Sequence, residues 1–213
     1  MRRVALVDYG SGNLPSAEKA LKRAADSLSG MQVVSTDDPH VIAAADAVVL
    51  PGVGAFRACM SALQARPGVS EALGVAVRER GVPFLGICVG MQLMAERGHE
   101  FGLTEGLGWI KGDVRRLDPP DHHKKIPHMG WNSLDGALSG PLLGGLEPGA
   151  HMYFTHAYAL YPEDPDCVSA WTDHGGPFVS AVTCGNLAGV QFHPEKSQGA
   201  GARLLSNFLE WRP

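Results

Sequence analysis

Short runs of apolar residues alternate with helical patterns over the first half of the chain. The apolar runs are rich in Val, Ile and Leu and predict strands at Val4–Val7, Gln32–Ser35, Ala47–Leu50 and Val82–Ile87. Between them, apolar residues at helical spacing predict helices near Pro15–Leu28, Val41–Ala45, Phe56–Gln64 and Ser70–Arg80. Strands that are apolar throughout are typical of a parallel sheet with helices packed on both faces.

The pattern changes after Gly98. Segments of strand character then follow one another, at Trp109–Leu117, Met152–Tyr161, Cys167–Thr172, Phe178–Thr183 and Ala188–Phe192. A tight hairpin is expected at Cys184-Gly185-Asn186, and a final amphipathic helix at Gln198–Trp211. We therefore predict one α/β domain over residues 1–213. Its central sheet is mostly parallel and flanked by helices, with an additional antiparallel portion.

Composition narrows the class of protein. Of the 213 residues, 45% are hydrophobic and 19% are charged, which provides enough apolar material for a substantial core. The net charge of −4 argues against a general nucleic-acid binder, which carries a basic face. No apolar run approaches the roughly 18–20 residues of a membrane helix. Met1–Asp8 lacks the long apolar stretch and the cleavage site of a signal peptide, so a cytoplasmic protein is expected.

The cysteines give no sign of a metal site or a disulfide framework. Cys59, Cys88, Cys167 and Cys184 include no Cys-x-x-Cys pair, so zinc binding has no support. Disulfides are uncommon in cytosolic proteins. Each cysteine is therefore expected to be a small buried apolar residue, unless its surroundings argue otherwise.

The sequence around Cys88 is typical of a nucleophilic cysteine. Gly86-Ile87-Cys88-Val89-Gly90 has the Gly-x-nucleophile-x-Gly spacing of a nucleophile elbow, between a predicted strand and a helical run at Met91–Arg97. The sulfur would then lie at a helix N-terminus, whose dipole favours the thiolate. The N–H of Val89 would be placed to donate to an oxyanion. Taken alone, the pattern also fits a core thiol beside a glycine-rich turn.

A candidate base lies in Val190-Gln191-Phe192-His193-Pro194-Glu195, which ends a predicted strand. Residues i and i+2 of an extended segment point to one side, and Pro194 favours an extended His193. The carboxylate of Glu195 can then hold one ring nitrogen while the other faces a thiolate. Parallel strand ends gather at one edge of a sheet, which would bring this pair to Cys88. The alternative is a satisfied core histidine and a surface carboxylate.

Other histidines are weaker candidates. His122 and His123 lie in the polar segment Leu117–Lys125, for which we have no functional account, and both are expected to be exposed loop residues. His156 lies on a strand-like run, and a structural or interfacial role is expected for it.

Two further glycine-rich turns follow predicted strands. In Leu50–Phe56, the backbone N–H groups of Gly52 and Val53 can approach a ligand and complete an oxyanion hole with the amide that follows the cysteine. Tyr9–Leu14 invites a dinucleotide-binding interpretation. Because Pro15 stands where the third glycine of Gly-x-Gly-x-x-Gly is required, we exclude a dinucleotide site.

Together these residues resemble the class I (triad) glutamine amidotransferase family, and within it the glutaminase subunits of imidazole glycerol phosphate synthase. The resemblance covers nearly the whole chain. Its general part is the cysteine turn with His193-Pro194-Glu195. Its specific part consists of Asp8–Leu14, Pro51–Phe56, Gly90-Met91-Gln92, Met129-Gly130-Trp131-Asn132, Tyr153-Phe154 and Gln191–Gln198. The resemblance implies the flavodoxin-like fold of that family.

The resemblance also implies a chemistry. Cys88 would attack glutamine, His193 and Glu195 would complete a catalytic triad, and a glutamyl thioester would be hydrolysed after ammonia leaves. The residues that match the glutamine pocket are Gly52, Gln92, Glu100, Ala157 and Tyr158. Val89 replaces the family's usual leucine, and Ala157 replaces a serine or threonine and so removes a hydroxyl. Neither a metal nor another cofactor is implied.

The resemblance finally implies a partner. In the family, ammonia passes to a (β/α)8-barrel cyclase subunit, where it reacts with a phosphoribulosyl formimino-aminoimidazole carboxamide nucleotide. The products are imidazole glycerol phosphate and an aminoimidazole carboxamide ribonucleotide, in histidine biosynthesis. The residues that match the cyclase-facing surface are Asn13, Met129, Trp131, Asn132, Tyr153 and Lys196. A heterodimer that contacts neither nucleic acid nor a membrane is expected.

Three alternatives stay open on the sequence. Another triad amidotransferase, such as the glutaminase subunit of pyridoxal phosphate synthesis, is disfavoured by Met129–Asn132 and Lys196–Gln198. A non-catalytic binding or stress-response module has no reason to keep Glu195 two residues after a histidine. A cysteine peptidase is disfavoured because the resemblance extends well beyond the triad.

Overall fold

The computed structural model describes residues 1–120, 124–136, 138 and 140–213. Within them the strands are β1 (Arg2–Val7), β2 (Met31–Thr36), β3 (Ala47–Gly52), β4 (Phe84–Cys88), β5 (Ala95–Gly98), β6 (Thr104–Glu105), β7 (Ile110–Arg116), β8 (His128–Ser133), β9 (His151–His156), β10 (Tyr158–Pro162), β11 (Val168–Asp173), β12 (Pro177–Cys184) and β13 (Leu187–Val190). The α-helices are α1 (Leu14–Asp26), α2 (Pro39–Ala43), α3 (Phe56–Gln64), α4 (Val69–Leu73), α5 (Val89–Gln92) and α6 (Gln198–Glu210). A π-helical segment, Gly74–Glu79, continues α4, and short 3-10 turns lie at Pro165–Cys167 and Pro194–Lys196.

The central sheet has the order β11-β12-β13-β4-β3-β1-β2. Strands β2, β1, β3, β4 and β13 run parallel, and β12 and β11 are antiparallel additions. Every residue of β3 and β4 is buried, as expected for strands covered on both faces. The predicted mixed α/β fold is therefore confirmed.

The register of the parallel strands places the candidate chemistry at one edge. Gly52 of β3 pairs with Cys88 of β4, and Val190 of β13 pairs with Ile87. The carboxyl ends of the three strands therefore coincide, so the residues that follow them meet at a single site.

Two smaller sheets extend the same edge. One has the order β10-β7-β5-β6, and the other is the antiparallel pair β8–β9. The continuous strand predicted at Met152–Tyr161 is divided at Ala157 into β9 and β10, which belong to different sheets. Within the described ranges, no helix is long and apolar enough to cross a bilayer.

The prediction of a helix at Met91–Arg97 is wrong beyond the first helical turn. Helix α5 ends at Gln92, and Ala95–Gly98 forms strand β5 instead. This strand pairs with β6 and β7, so hydrogen bonds to distant residues override a local helical pattern. A single turn also supplies a much smaller dipole to Cys88 than the predicted helix.

The expectation that every cysteine is unpaired is also wrong. Cys59 and Cys88 are free and buried, but a disulfide joins Cys167 to Cys184. Cys167 directly precedes β11 and Cys184 ends the antiparallel β12, so their Cα atoms lie 5.0 Å apart, within the range a disulfide spans. The antiparallel pairing of β11 with β12 brings these two strand ends together, whatever the cellular compartment.

The turn between β4 and α5 requires glycine because it packs directly on β3. A Cβ atom on Gly90 would overlap the Leu50 carbonyl oxygen, which is backbone and cannot move aside. A Cβ on Gly52 would in turn lie 2.7 Å from the Gly90 nitrogen. The two turns are therefore in backbone contact.

We expect Gly90→Ala to lower the free energy of unfolding by about 3 kcal/mol, the upper end for overpacking, because the strand must shift. The matched control is Gly74→Ala, since Gly74 has helical dihedrals and open space around its Cβ position. That variant should be neutral or stabilised by up to about 1 kcal/mol. Urea unfolding measures both, and equal effects would contradict the close contact.

Candidate active site

Cys88 has the backbone of a strained turn between strand and helix. Its φ of 54° and ψ of −111° lie in a region that non-glycine residues rarely adopt. Such strain persists where the surroundings impose it, and is frequent at reactive residues. The residue is 3% exposed, and its sulfur lies 3.6 Å from the Gln191 Nε2 atom, which donates to it. The geometry is that of a nucleophile elbow.

His193 and Glu195 form a buried pair, with Nδ1 and Oε1 2.8 Å apart and side chains 2% and 3% exposed. His193 is extended, as the following proline predicts. Glu195 instead lies in the 3-10 turn Pro194–Lys196, so the expectation of an extended segment through Glu195 is wrong although the contact forms. The His193 N–H donates to the Tyr153 carbonyl, and the Ser197 hydroxyl donates to the His193 carbonyl, which fixes the backbone.

The surroundings of His193 favour its protonated form. Burial acts to lower the pKa, but the neighbouring Cys88 sulfur and the Glu195 carboxylate outweigh it and raise the pKa of His193 to about 9. The Nε2 atom has no hydrogen-bond partner of good geometry among the described residues. It is therefore the ring atom available to the sulfur and to a substrate.

The cysteine and histidine open on one cavity of about 320 Å³. Its walls include most of the predicted pocket: Val53, Cys88, Val89, Gln92, Glu100, Ala157, Tyr158 and His193. Three further wall residues, Gly54, Thr155 and His156, were not predicted to belong to it. Gly52 is set back from this cavity and lines a narrow cleft beside Asn13 and Glu195. A binding role for Gly52 stays a prediction.

Two polar residues of the wall are already held by the protein. The Gln92 side-chain amide donates to the Tyr158 carbonyl at 2.8 Å and to the Gln191 side-chain oxygen at 3.0 Å. The Glu100 carboxylate accepts from the Phe56 N–H at 2.8 Å, at the start of α3. Gln191 was not a predicted site residue. Its place two residues before His193, on the same side of an extended segment, is the signal that could have found it.

The second glycine turn is anchored from outside the cavity. The Val53 carbonyl accepts from the Ser11 hydroxyl at 3.1 Å and from the Cys59 thiol at 3.4 Å. The Tyr9 hydroxyl donates to the Pro51 carbonyl at 2.7 Å. Burial raises the pKa of both Tyr9 and Cys59, so both remain neutral donors. The oxyanion roles of the Gly52, Val53 and Val89 amides stay predictions.

The residues predicted to face a partner divide between two sides of β8. Met129 and Trp131 are 65% and 47% exposed. Trp131 packs edge-on against Tyr153, with ring centroids 6.0 Å apart, and the Lys196 ammonium lies 5.5 Å from the Tyr153 ring. Asn132 alternates to the other face, where its amide contacts His128 and the Asp173 carbonyl.

The remaining histidine predictions have mixed outcomes. His156 is buried, lines the cavity and donates from Nδ1 to the Tyr158 carbonyl, so it has a structural contact as expected. His122 and His123 lie outside the described residues.

The raised pKa makes the stabilising contribution of His193 dependent on pH. The pKa is about 9 in the folded chain against 6.5 for a free histidine, so the contribution is complete below pH 6.5 and is lost as pH rises through about 9. Each unit of difference in pKa between folded and unfolded chains corresponds to about 1.4 kcal/mol. We expect the stability margin of the wild type over His193→Gln to shrink between pH 6.5 and 9.5. Urea unfolding across this range measures it, and a constant margin would contradict the charged pair.

Comparison with known proteins places this site in a family. The glutamine amidotransferase class-I family matches residues 5–211. A chain from Caulobacter vibrioides, the imidazole glycerol phosphate synthase subunit HisH, is 56% identical over the full length of both proteins. The protein of the same name from Rhodospirillum rubrum is 55% identical over 99% of this chain and all of its own.

Solved structures agree on the fold. A crystal structure titled glutamine amidotransferase has a TM-score of 0.72 at 19% identity and covers 97% of both chains. A putative GMP synthase protein from Thermoplasma acidophilum has a TM-score of 0.69 at 21% identity, covering 98% of this chain and 92% of its own. Because its sequence and its fold both match throughout, the chain belongs to the class I glutamine amidotransferases and, among them, to the HisH subunits of imidazole glycerol phosphate synthase.

Proposed function

We propose that this chain releases ammonia from glutamine with Cys88 as nucleophile, His193 as acid and base, and Glu195 as the residue that orients the imidazole. The observation that carries the proposal is the meeting of the strained Cys88 turn and the buried His193–Glu195 pair at one cavity. We also propose that residues 1–213 act as one amidotransferase domain, in the cytoplasm.

The raised pKa of His193 supports a thiolate–imidazolium pair as the starting state. The Cys88 sulfur attacks the side-chain amide carbon of glutamine, and the carbonyl electrons move to oxygen. When this tetrahedral intermediate collapses, the carbon–nitrogen bond breaks, His193 gives its proton to the departing nitrogen, and ammonia leaves a glutamyl thioester. Neutral His193 then takes a proton from water, which attacks the thioester and releases glutamate and the thiolate.

The negative oxygen of both tetrahedral intermediates needs donors that are already in place. The N–H groups of Val89, Gly52 and Val53 are the proposed donors, and each such donor contributes about 2.7–4 kcal/mol of transition-state stabilisation. The backbone contact between the two glycine turns supports this role, because it packs the turn at Gly52 directly against the turn that carries Cys88 and Val89.

Glutamine recognition is proposed for the far wall of the cavity. The Glu100 carboxylate is suited to the substrate's α-ammonium group. The Gln92 side-chain oxygen and the backbone at Ala157 and Tyr158 line the same wall and are the proposed contacts for its polar ends. Because residue 157 is alanine, contacts there are limited to the backbone.

Ammonia is proposed to pass to a (β/α)8-barrel cyclase subunit in a heterodimer. The relatives are named as subunits, which supports an obligatory partner. The exposed Met129 and Trp131 and the half-buried Tyr153 beside Lys196 form a surface with the composition of an interface core. Asn13 lies at the edge of the catalytic cleft and completes the proposed surface.

The first test measures glutamate formed from glutamine, with and without the cyclase partner and its nucleotide ligand. We expect low activity in the isolated chain and strong stimulation in the complex, because binding at the two sites is coupled. Cys88→Ala should form no glutamate while keeping its fold and its affinity for the cyclase. Activity in a clean Cys88→Ala preparation would sink the mechanism, and high activity without the partner would remove the coupling.

A second pair of variants separates the roles of the histidine and the glutamate. We expect His193→Ala to reduce kcat more than Glu195→Gln does. The first variant loses the proton carrier, worth about 10²–10⁴-fold, whereas the second loses only its charged orienting partner. Steady-state kinetics of the complex measures both, and equal losses would argue against the assigned roles.

A further inference from the structure

Alternate side chains of strand β8 point to opposite faces, one exposed and one directed into the protein. Met129 and Trp131 point outward, and His128 and Asn132 alternate with them. His128 is 3% exposed and contacts His156 of the neighbouring strand, which is 6% exposed and lines the glutamine cavity. Buried polar groups in that position require partners.

The contacts form a continuous chain from the exposed strand to the cavity. The Asn132 Nδ2 atom lies 3.3 Å from His128 Nε2, and His128 Nδ1 lies 3.1 Å from His156 Nε2. The His156 Nδ1 atom then lies 2.9 Å from the Tyr158 carbonyl oxygen. No break separates the surface strand from the wall of the pocket.

The same carbonyl continues the chain to the nucleophile. The Tyr158 carbonyl also accepts from Gln92 Nε2 at 2.8 Å, and Gln92 Nε2 donates to the Gln191 side-chain oxygen at 3.0 Å. The Gln191 amide donates to the Cys88 sulfur at 3.6 Å. Asn132 and Cys88 are therefore joined through side chains and one backbone carbonyl.

The direction of each hydrogen bond between Asn132 and the Tyr158 carbonyl follows from the groups at the two ends of this segment. A carbonyl can only accept, so His156 must carry its proton on Nδ1 and accept at Nε2. His128 must therefore donate from Nδ1 and accept at Nε2. Asn132 supplies the donor for that position, since its side-chain oxygen is occupied by the Ser133 N–H. A consistent chain requires both imidazoles to be neutral.

The surroundings favour the neutral rings. Burial lowers the pKa of His128 to about 3, and His156, His174 and Lys124 add to that effect. Burial is the largest effect on His156 and lowers its pKa to about 4. The Tyr158 carbonyl acts to raise this pKa, whereas His174 and His193 lower it further. Both pKa values lie well below 7, so both rings are neutral and the direction of the chain is constant around neutral pH.

We propose that Asn132, His128 and His156 are positioning residues for the amidotransferase reaction, because their one-directional hydrogen-bond chain fixes the Tyr158 carbonyl and Gln92 beside Cys88. The inference rests on the proposed function only in taking glutamine as the substrate. The chain also gives the partner-facing strand a direct structural link to the glutamine pocket.

The first experiment reads the tautomers and needs no activity. In the chain labelled with ¹⁵N-histidine, long-range ¹H–¹⁵N spectra at pH 7 should show both rings neutral and protonated on Nδ1, the form that a free imidazole does not prefer. The signals are assigned with His128→Asn and His156→Asn. The chain is refuted if either ring carries its proton on Nε2 or is doubly protonated.

The second experiment reads the reaction, in the complex with the cyclase subunit. His156→Leu leaves the Tyr158 carbonyl without its imidazole donor, and we expect the KM for glutamine to rise about tenfold, equal to about 1.4 kcal/mol, with a smaller change in kcat. The matched control is His151→Leu on the exposed end of the same strand, which should leave KM unchanged. A KM within twofold of wild type in His156→Leu overturns the positioning role.

A milder variant guards against loss of folding. His128→Asn keeps a donor near the position of Nδ1 but removes the atom that meets Asn132, so KM should rise less than in His156→Leu and in the same direction. An unchanged KM in a folded His128→Asn protein refutes the link to β8. If the wild type hydrolyses no glutamine with or without the partner, the proposed function fails. The hydrogen-bond chain is still tested in that case, because the ¹⁵N-histidine spectra do not depend on activity.

Discussion

The site depends on the contact between two glycine turns, where Gly90 packs on the Leu50 carbonyl of the neighbouring strand. No side chain fits between them, so the turn after β4 is pressed against the end of β3. That contact leaves Cys88 in a conformation that a free chain would avoid. The reactive sulfur and the backbone donors proposed for the oxyanion hole are consequently held in one rigid unit.

The parallel register supplies the second requirement, which is to bring distant segments together. Strands β3, β4 and β13 end at the same edge, so His193 arrives beside Cys88 although almost half of the chain lies between them. The backbone of His193 is anchored to Tyr153 and Ser197 and does not depend on the cysteine. The base is thereby positioned by the same strand pair, β8–β9, that carries the exposed aromatic surface.

The distribution of unpaired polar atoms separates the reactive part of the site from its support. Among the described residues, the buried side-chain atoms without a hydrogen-bond partner are Ser180 Oγ, His193 Nε2 and Glu195 Oε2. Two of the three belong to the proposed triad, where an unfilled hydrogen bond is available to a substrate. Around them, the side-chain nitrogens of Gln92 and Gln191 and both ring nitrogens of His128 and His156 are hydrogen-bonded, which keeps the walls of the pocket rigid.

Local sequence patterns are sufficient to predict the mixed α/β fold, the elbow at Cys88 and the pairing of His193 with Glu195, because glycine spacing, apolar runs and a proline act over a few residues. The tertiary structure, in contrast, makes Ala95–Gly98 a strand, brings Cys167 to Cys184 and places Glu195 in a 3-10 turn. It also decided that Gln191 contacts Cys88 and that Asn132 turns inward to His128. These features depend on contacts between residues far apart in the chain, and such contacts exist only once the sheets are paired and packed.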